Sequence, residues 1–361
     1  MRSSSPPKRP GSRCTSPEPA ISSTEPTAGR RAAAAGPQRR VRELLTFGLL
    51  AIGVGSLTAG QSRINGELAT RLDNGSQAAV ISFATGLVLL CVLILIVPTM
   101  RRGLLGLPAA VRSGQLRWWQ LIGGLGGGFF VAVQTMSVPV IGVALFIVSV
   151  VAGQTVSSLW VDRVGLGPAG RSAITPRRVL AAAVAIAAVL VSVSDKLGDA
   201  TFSLLAIVAG AAAGAGIAAQ QAVNGRVSAA IRSPLSAAWV NFVVGLALLL
   251  VILGIRIVAG GPSWSTELLP WWLYTGGAIG VVFIAVAAFV VAHLGVLLFS
   301  LCTIAGQIVG AVVLDLAAPV PGEVVTAATL LGAALTLVAV VVGAGSLRRL
   351  MAPRRSGPGP A

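Results

Sequence analysis

The sequence predicts an all-α integral membrane protein, with ten transmembrane helices arranged as two inverted five-helix repeats. Three observations predict it: long uncharged apolar blocks, the placement of the basic residues between them, and a set of polar landmarks that recurs at fixed offsets.

Of the 361 residues, 55% are hydrophobic and only 11% are charged, where a soluble globular chain carries about 25% charged residues. From Leu44 to Gly345 the chain is a succession of apolar blocks, many free of Asp, Glu, Lys and Arg. About 20 such residues cross a hydrocarbon core of roughly 30 Å as a helix. Barrel strands would alternate apolar and polar residues, and runs such as Val184-Ala185-Ile186-Ala187-Ala188-Val189-Leu190-Val191 do not. Ten segments are expected, near 44–64, 78–98, 118–137, 140–161, 178–194, 203–223, 235–257, 271–291, 294–316 and 324–345, with the first and sixth able to continue as helix to Leu72 and Ile231. Residues 1–40 and 347–361 are basic and lack apolar periodicity, which reads as disordered tails. The first apolar stretch begins only at Leu44, too late for a removable leader. The expected organisation is therefore a tail (1–40), a first repeat (41–200), a second repeat (201–346) and a tail (347–361).

The net charge of +16 does not point to nucleic acid, because the basic residues flank the apolar segments. With the N-terminus inside, the short inside loops hold ten Arg, from Arg101 to Arg232, and the outside loops hold Arg63, Arg71, Lys196 and Arg256. Positive residues stay on the cytoplasmic side. Both termini are therefore expected in the cytoplasm of a bacterial inner membrane, with the Asp195–Asp199 connector outside.

The chain also repeats itself. Residues 61–87 align without a gap to 220–246, matching Gln61 with Gln220, Asn65 with Asn224, Phe83 with Phe242 and Gly86 with Gly245. After a six-residue deletion the match resumes: Trp118-Trp119 falls on Trp271-Trp272, Gly142 on Gly295, Ala152-Gly153-Gln154 on Ala305-Gly306-Gln307 and Asp162 on Asp315. Five segments per half is an odd number, so the halves enter the membrane from opposite sides. That plan recurs in secondary transporters, whose substrate site lies near the midplane between the repeats.

The five-plus-five pattern, the Gln-x-x-x-Asn-Gly that closes the first helix of each half and the Phe-x-x-Gly of the second together resemble the drug/metabolite transporter superfamily. The nearest branch is the bacterial inner-membrane exporters of the YdcZ type, in a fused two-repeat form. The resemblance covers about residues 44–345. It implies a transporter-like fold and export of a small molecule, a polar or amphipathic metabolite or a drug-like solute, and it brings no substrate. An importer of the same fold, a channel and a non-transporting membrane scaffold are the other readings.

Polar groups inside lipid are costly and face the bundle interior or a wet cavity. Gln61 and Asn65 share one helix face, as do Gln220 and Asn224, and Gln154 and Gln307 lie deep in the fourth and ninth segments. Their carboxamides suit an uncharged polar solute or hydrogen bonds to a neighbouring helix. Gln134 falls opposite Ala287 in the repeat and would make the site asymmetric. Asp162 and Asp315 read either as hydrated helix-end residues or as gate carboxylates at opposite faces. His293 falls in a connection, where a solvated ring is the plain reading and proton sensing the alternative. No residue set suits catalysis, a metal or a cofactor. The expected partners are a small-molecule substrate and the lipid bilayer.

Overall fold

A computed structural model describes residues 37–343, apart from 169, 172, 196–202, 263, 295 and 320–324. Both tails, His293's side chain and most of the Asp195–Asp199 connector fall outside what is described. The chain divides into Met1–Glu43, of which only the start of a helix is described, and Leu44–Ala361, which holds everything below.

Among the described residues all regular structure is helical: α1 (Pro37–Leu72), α2 (Gly75–Ile96), α3 (Pro98–Arg112), α4 (Gly124–Val164), α5 (Pro176–Ser192), α6 (Leu204–Ile231), α7 (Pro234–Val258), α8 (Gly276–Leu294), α9 (Val296–Ala317) and α10 (Ala327–Gly343). Short 3₁₀ turns at Trp118–Gly123 and Trp271–Thr275 lead into α4 and α8. Among the described residues, six helical stretches are long and apolar enough to cross a membrane, and shorter apolar helices accompany them. Three of the helices begin at a residue whose side chain takes up a first-turn N–H that has no partner within the helix. Asn74 caps α2 by accepting from Gln77 N–H, and Ser203 and Ser233 cap α6 and α7 in the same way.

Two elements differ from the expectation. The third and fourth segments follow each other without a loop, as a 41-residue stretch in which two helices meet at a kink. It is interrupted at Gly142, not at 138–139: Gly142 stands at φ 75°, ψ 169°, a conformation essentially reserved for glycine. The loop expected after the second segment instead contains α3. Arg101, Arg102 and Arg112 are exposed on it, while Gly103 approaches Ser233 and Ser236, and Ala110 packs with Val227, Ile231 and Ala237.

The packing between the halves is reciprocal. Phe83 stacks on Phe242 with ring centroids 4.9 Å apart, and these are equivalent residues of the two repeats. Gly86 lies against Phe242 and Gly245 against Phe83, so α2 and α7 run antiparallel at this contact. The same exchange recurs elsewhere. Gly153 faces the Ala211 carbonyl and Gly214 the Val150 carbonyl; their equivalents, Gly306 and Gly55, face the carbonyls of Ile52 and Thr303. Contacts that swap partners in this way are those of an isologous interface about a two-fold axis, and the axis passes between Phe83 and Phe242. The small residues are what allow the backbones to approach this closely.

Candidate functional site

Two polar clusters lie beside this seam, one from each half. In the first, Asn65 on α1 donates from Nδ2 to Gln134 Oε1 (2.6 Å), and Gln134 donates from Nε2 to Ser62 Oγ (2.7 Å). All three side chains are sealed, at 0–1% exposure. Asn65 Oδ1 and the Oγ of buried Ser82 meet no partner, and both face Gly276 of the other half. An interior polar group left unmet costs about 1–3 kcal/mol.

In the second cluster Asn224 donates from Nδ2 to Asn241 Oδ1 (3.0 Å). Gln220 Oε1 is buried without a partner and, like the Asn241 amide, approaches Gly127 of the first half. Gln154 on α4 donates from Nε2 to Gln221 Oε1 on α6 (3.1 Å) at an exposed position. Asn224 is half-buried. The clusters are related by the duplication but differ in composition. Ser62 stands where the second half has Gln221, Ser82 where it has Asn241, and Gln134 where it has Ala287.

The amides expected from the sequence are thus distributed unevenly. Asn65 is joined to Gln134, and Asn224 and Gln154 find partners that were not singled out, Asn241 and Gln221. Gln61 approaches Gly280 of the other half. Gln154 and Gln307 do not meet, and Gln307 is half-buried without a hydrogen bond. Of the amides singled out, Asn65 and Gln134 are sealed, whereas Gln154 and Gln307 are half-buried. Comparing the second helix of each half at the same aligned positions would have found Ser82 and Asn241, which are both polar.

The two aspartates part company. Asp315 is no hydrated end residue: it is buried at 6% exposure, and its carboxylate accepts from the N–H groups of Val143 (3.2 Å) and Ala144 (2.6 Å). Those are the first N–H groups after the break at Gly142, so Asp315 caps the second part of α4 from the other half of the chain. Asp162 pairs with Arg178 at the start of α5, where both groups are partly exposed. Near it, Arg226 on α6 donates to the carbonyls of Gly165 (2.6 Å) and Leu166 (2.7 Å), tying the end of α4 to the second half. On α2, Gln77 exchanges two hydrogen bonds with the Ser265 backbone of the α7–α8 connection (2.7 and 2.8 Å). Among the described residues no three His, Cys, Asp or Glu side chains are grouped as a metal site would need.

The family described as "Putative inner membrane exporter, YdcZ" matches this chain twice, over residues 46–191 and 205–342. No curated protein matches. A solved crystal structure, titled only as that of a protein, is similar at 19% identity and a TM-score of 0.52, covering 85% of this chain and 98% of its own; the likeness concerns the fold. The two matches fall on the two halves that exchange contacts across Phe83 and Phe242, and the chain belongs to the YdcZ family of inner-membrane exporters, carrying the family unit twice.

Proposed function

We propose that the chain is a secondary transporter exporting a small solute by alternating access, built as ten membrane crossings in two inverted five-helix repeats. The 41-residue α4 supplies two of the crossings, divided at Gly142. The antiparallel contact of the equivalent helices α2 and α7 supports the inversion, since a two-fold axis perpendicular to membrane helices lies in the membrane plane. Both termini are cytoplasmic in this reading, which rests on the loop arginines.

The observation that carries the mechanism is an inequality between equivalent sites. Asn65 is sealed, whereas its equivalent Asn224 is half-buried, although bonded to buried Asn241, and adjoins the Gln154–Gln221 pair, in which Gln221 is exposed. Composition accounts for part of the difference, with Gln221, Asn241 and Ala287 standing for Ser62, Ser82 and Gln134; unequal access to equivalent sites is also what a carrier at rest in one of its two states has. Asn224 lies toward the end of α6 assigned to the cytoplasm, so this state is inward-facing. Closure on the far side is held by the Asp315 cap and by the Gln77–Ser265 bonds. Asp162 and Asp315 then serve as gate residues, and Gln61, Asn65, Gln134, Gln154, Gln220, Asn224 and Gln307 line the route.

Two measurements test this reading. Protein reconstituted in liposomes is expected to show saturable flux with counterflow, and Gln154→Leu and Gln307→Leu are each expected to abolish it while inserting normally, because Leu is more apolar than Gln. Flux that never saturates indicates a channel, and no flux of any solute indicates a scaffold. Reporter fusions at Asp199 and Ala361 are expected in opposite compartments; the same side for both would remove the inverted plan.

A further inference from the structure

The two clusters say what kind of cargo the protein accepts, an inference that rests on the transport reading. We infer that the carried solute is uncharged and hydrogen-bonding, and that the site selects against both cations and anions.

Every side chain that meets in the clusters is a carboxamide or a hydroxyl: Ser62, Asn65, Ser82 and Gln134 on one side, Gln220, Gln221, Asn224 and Asn241 on the other, with Gln154 beside them. None is ionisable at any pH the cell meets. The charged groups of the same helices are turned elsewhere or engaged. Arg63 lies two residues from Asn65, about 200° around α1. Glu67 is paired with Arg71 at 2.8 Å. Arg226 is held on the Gly165 and Leu166 carbonyls, and Asp315 on the N–H groups of Val143 and Ala144.

A charge brought among these groups would lose its hydration without meeting a counter-charge, whereas a neutral solute needs only hydrogen bonds in exchange. The site is short of those same bonds. Asn65 Oδ1, Ser82 Oγ and Gln220 Oε1 are buried and unmet, although buried polar atoms nearly always have partners. Asn65 is fully buried and its free oxygen faces Gly276, where the absence of a side chain leaves the two halves in contact. In this state the halves close on these atoms with no room for a side chain at Gly276; when the halves part, the hydroxyl and amide groups of a neutral solute supply the partners they lack.

The test uses the full chain and seven probes: uridine, myo-inositol and nicotinamide as neutral solutes, nicotinate and uridine monophosphate as anions, 1-methylnicotinamide (the N-methylpyridinium ion) and tetraphenylphosphonium as cations. Thermal stabilisation in detergent and counterflow in liposomes are measured for each, with protein-free liposomes subtracted. Neutral probes are expected to stabilise the protein and to exchange at least about tenfold faster than charged ones, with flux indifferent to membrane potential. Asn241→Asp keeps the size of the side chain and the oxygen that accepts from Asn224, and adds one negative charge. It is expected to shift preference toward the 1-methylnicotinamide cation over nicotinamide by about tenfold or more. Charged probes carried as well as neutral ones by the unaltered protein, or an unchanged preference in Asn241→Asp, would overturn the inference. Neither binding nor flux from any class would defeat the transport reading itself, and the inference with it.

Discussion

Gly153→Leu and Gly306→Leu are each expected to reduce folded protein in the membrane by about tenfold or more. The reason lies in what each glycine touches. A side chain at Gly153 would overlap the Ala211 carbonyl, and one at Gly306 the Ile52 carbonyl, and neither is the movable end of a flexible side chain. Relief would require α4 to leave α6, or α9 to leave α1. Each pair closes a second contact in the opposite sense, Gly214 on Val150 and Gly55 on Thr303, so both would open together. Overpacking a core typically costs about 1–3 kcal/mol when the surroundings can shift, and here the obstacle is backbone. The two variants are expected to behave alike, because the duplication makes their surroundings equivalent. Gly60→Leu is the control: nothing lies within 4 Å of a Cβ there, and normal yield is expected. Fluorescence size-exclusion profiles of detergent extracts measure all three. A monodisperse Gly306→Leu at full yield would show that α1 and α9 are not held as described.

How far these contacts were legible from residues alone differs by kind. The apolar blocks gave the helices, since a span in lipid must satisfy its own backbone, and α1 and α6 run to Leu72 and Ile231 as the pattern allowed. The repeat was legible because Gln, Asn, Trp and Phe recur at fixed offsets against an Ala/Val background. Phe-x-x-Gly, a weak signal by itself, proves to be the seam: each Phe covers the other half's Gly. α3 was hidden because its arginines read as loop charge, and its apolar side has meaning only against α6 and α7. The clusters were half visible. Gln and Asn on one helix face can be picked from a sequence, but whether Asn65 bonds Gln134, 69 positions away, depends on packing that no local pattern carries. The asymmetry of the equivalent clusters was legible only in part: Gln134 against Ala287 marks it in the sequence, whereas the sealing of Asn65 and the half-burial of Asn224 depend on packing.

Asp315→Leu is expected to destabilise the protein by about 2–4 kcal/mol and to stop transport, while Asp162→Leu costs under about 1 kcal/mol. The sequence presents these residues as equivalents, eight positions after Gln307 and Gln154. Their environments separate them. Removing the Asp315 carboxylate strands the N–H groups of Val143 and Ala144 in a buried position, each costing the desolvation of a donor with no replacement. The stranded groups also sit beside Gly142, the one residue of α4 with non-helical φ and ψ, so the junction between the two parts of α4 loses its anchor to α9. Asp162 is 39% exposed and its partner Arg178 25%, so water screens that pair and replaces it when broken. Asp315→Asn is expected to fall between wild type and Leu, since an amide oxygen still accepts one N–H. Thermal unfolding in detergent gives the stability order, and counterflow gives the functional one. Equal losses at Asp162 and Asp315 would mean that the cap on α4 contributes no more than a surface ion pair, and the gate assigned to Asp315 would fall with it.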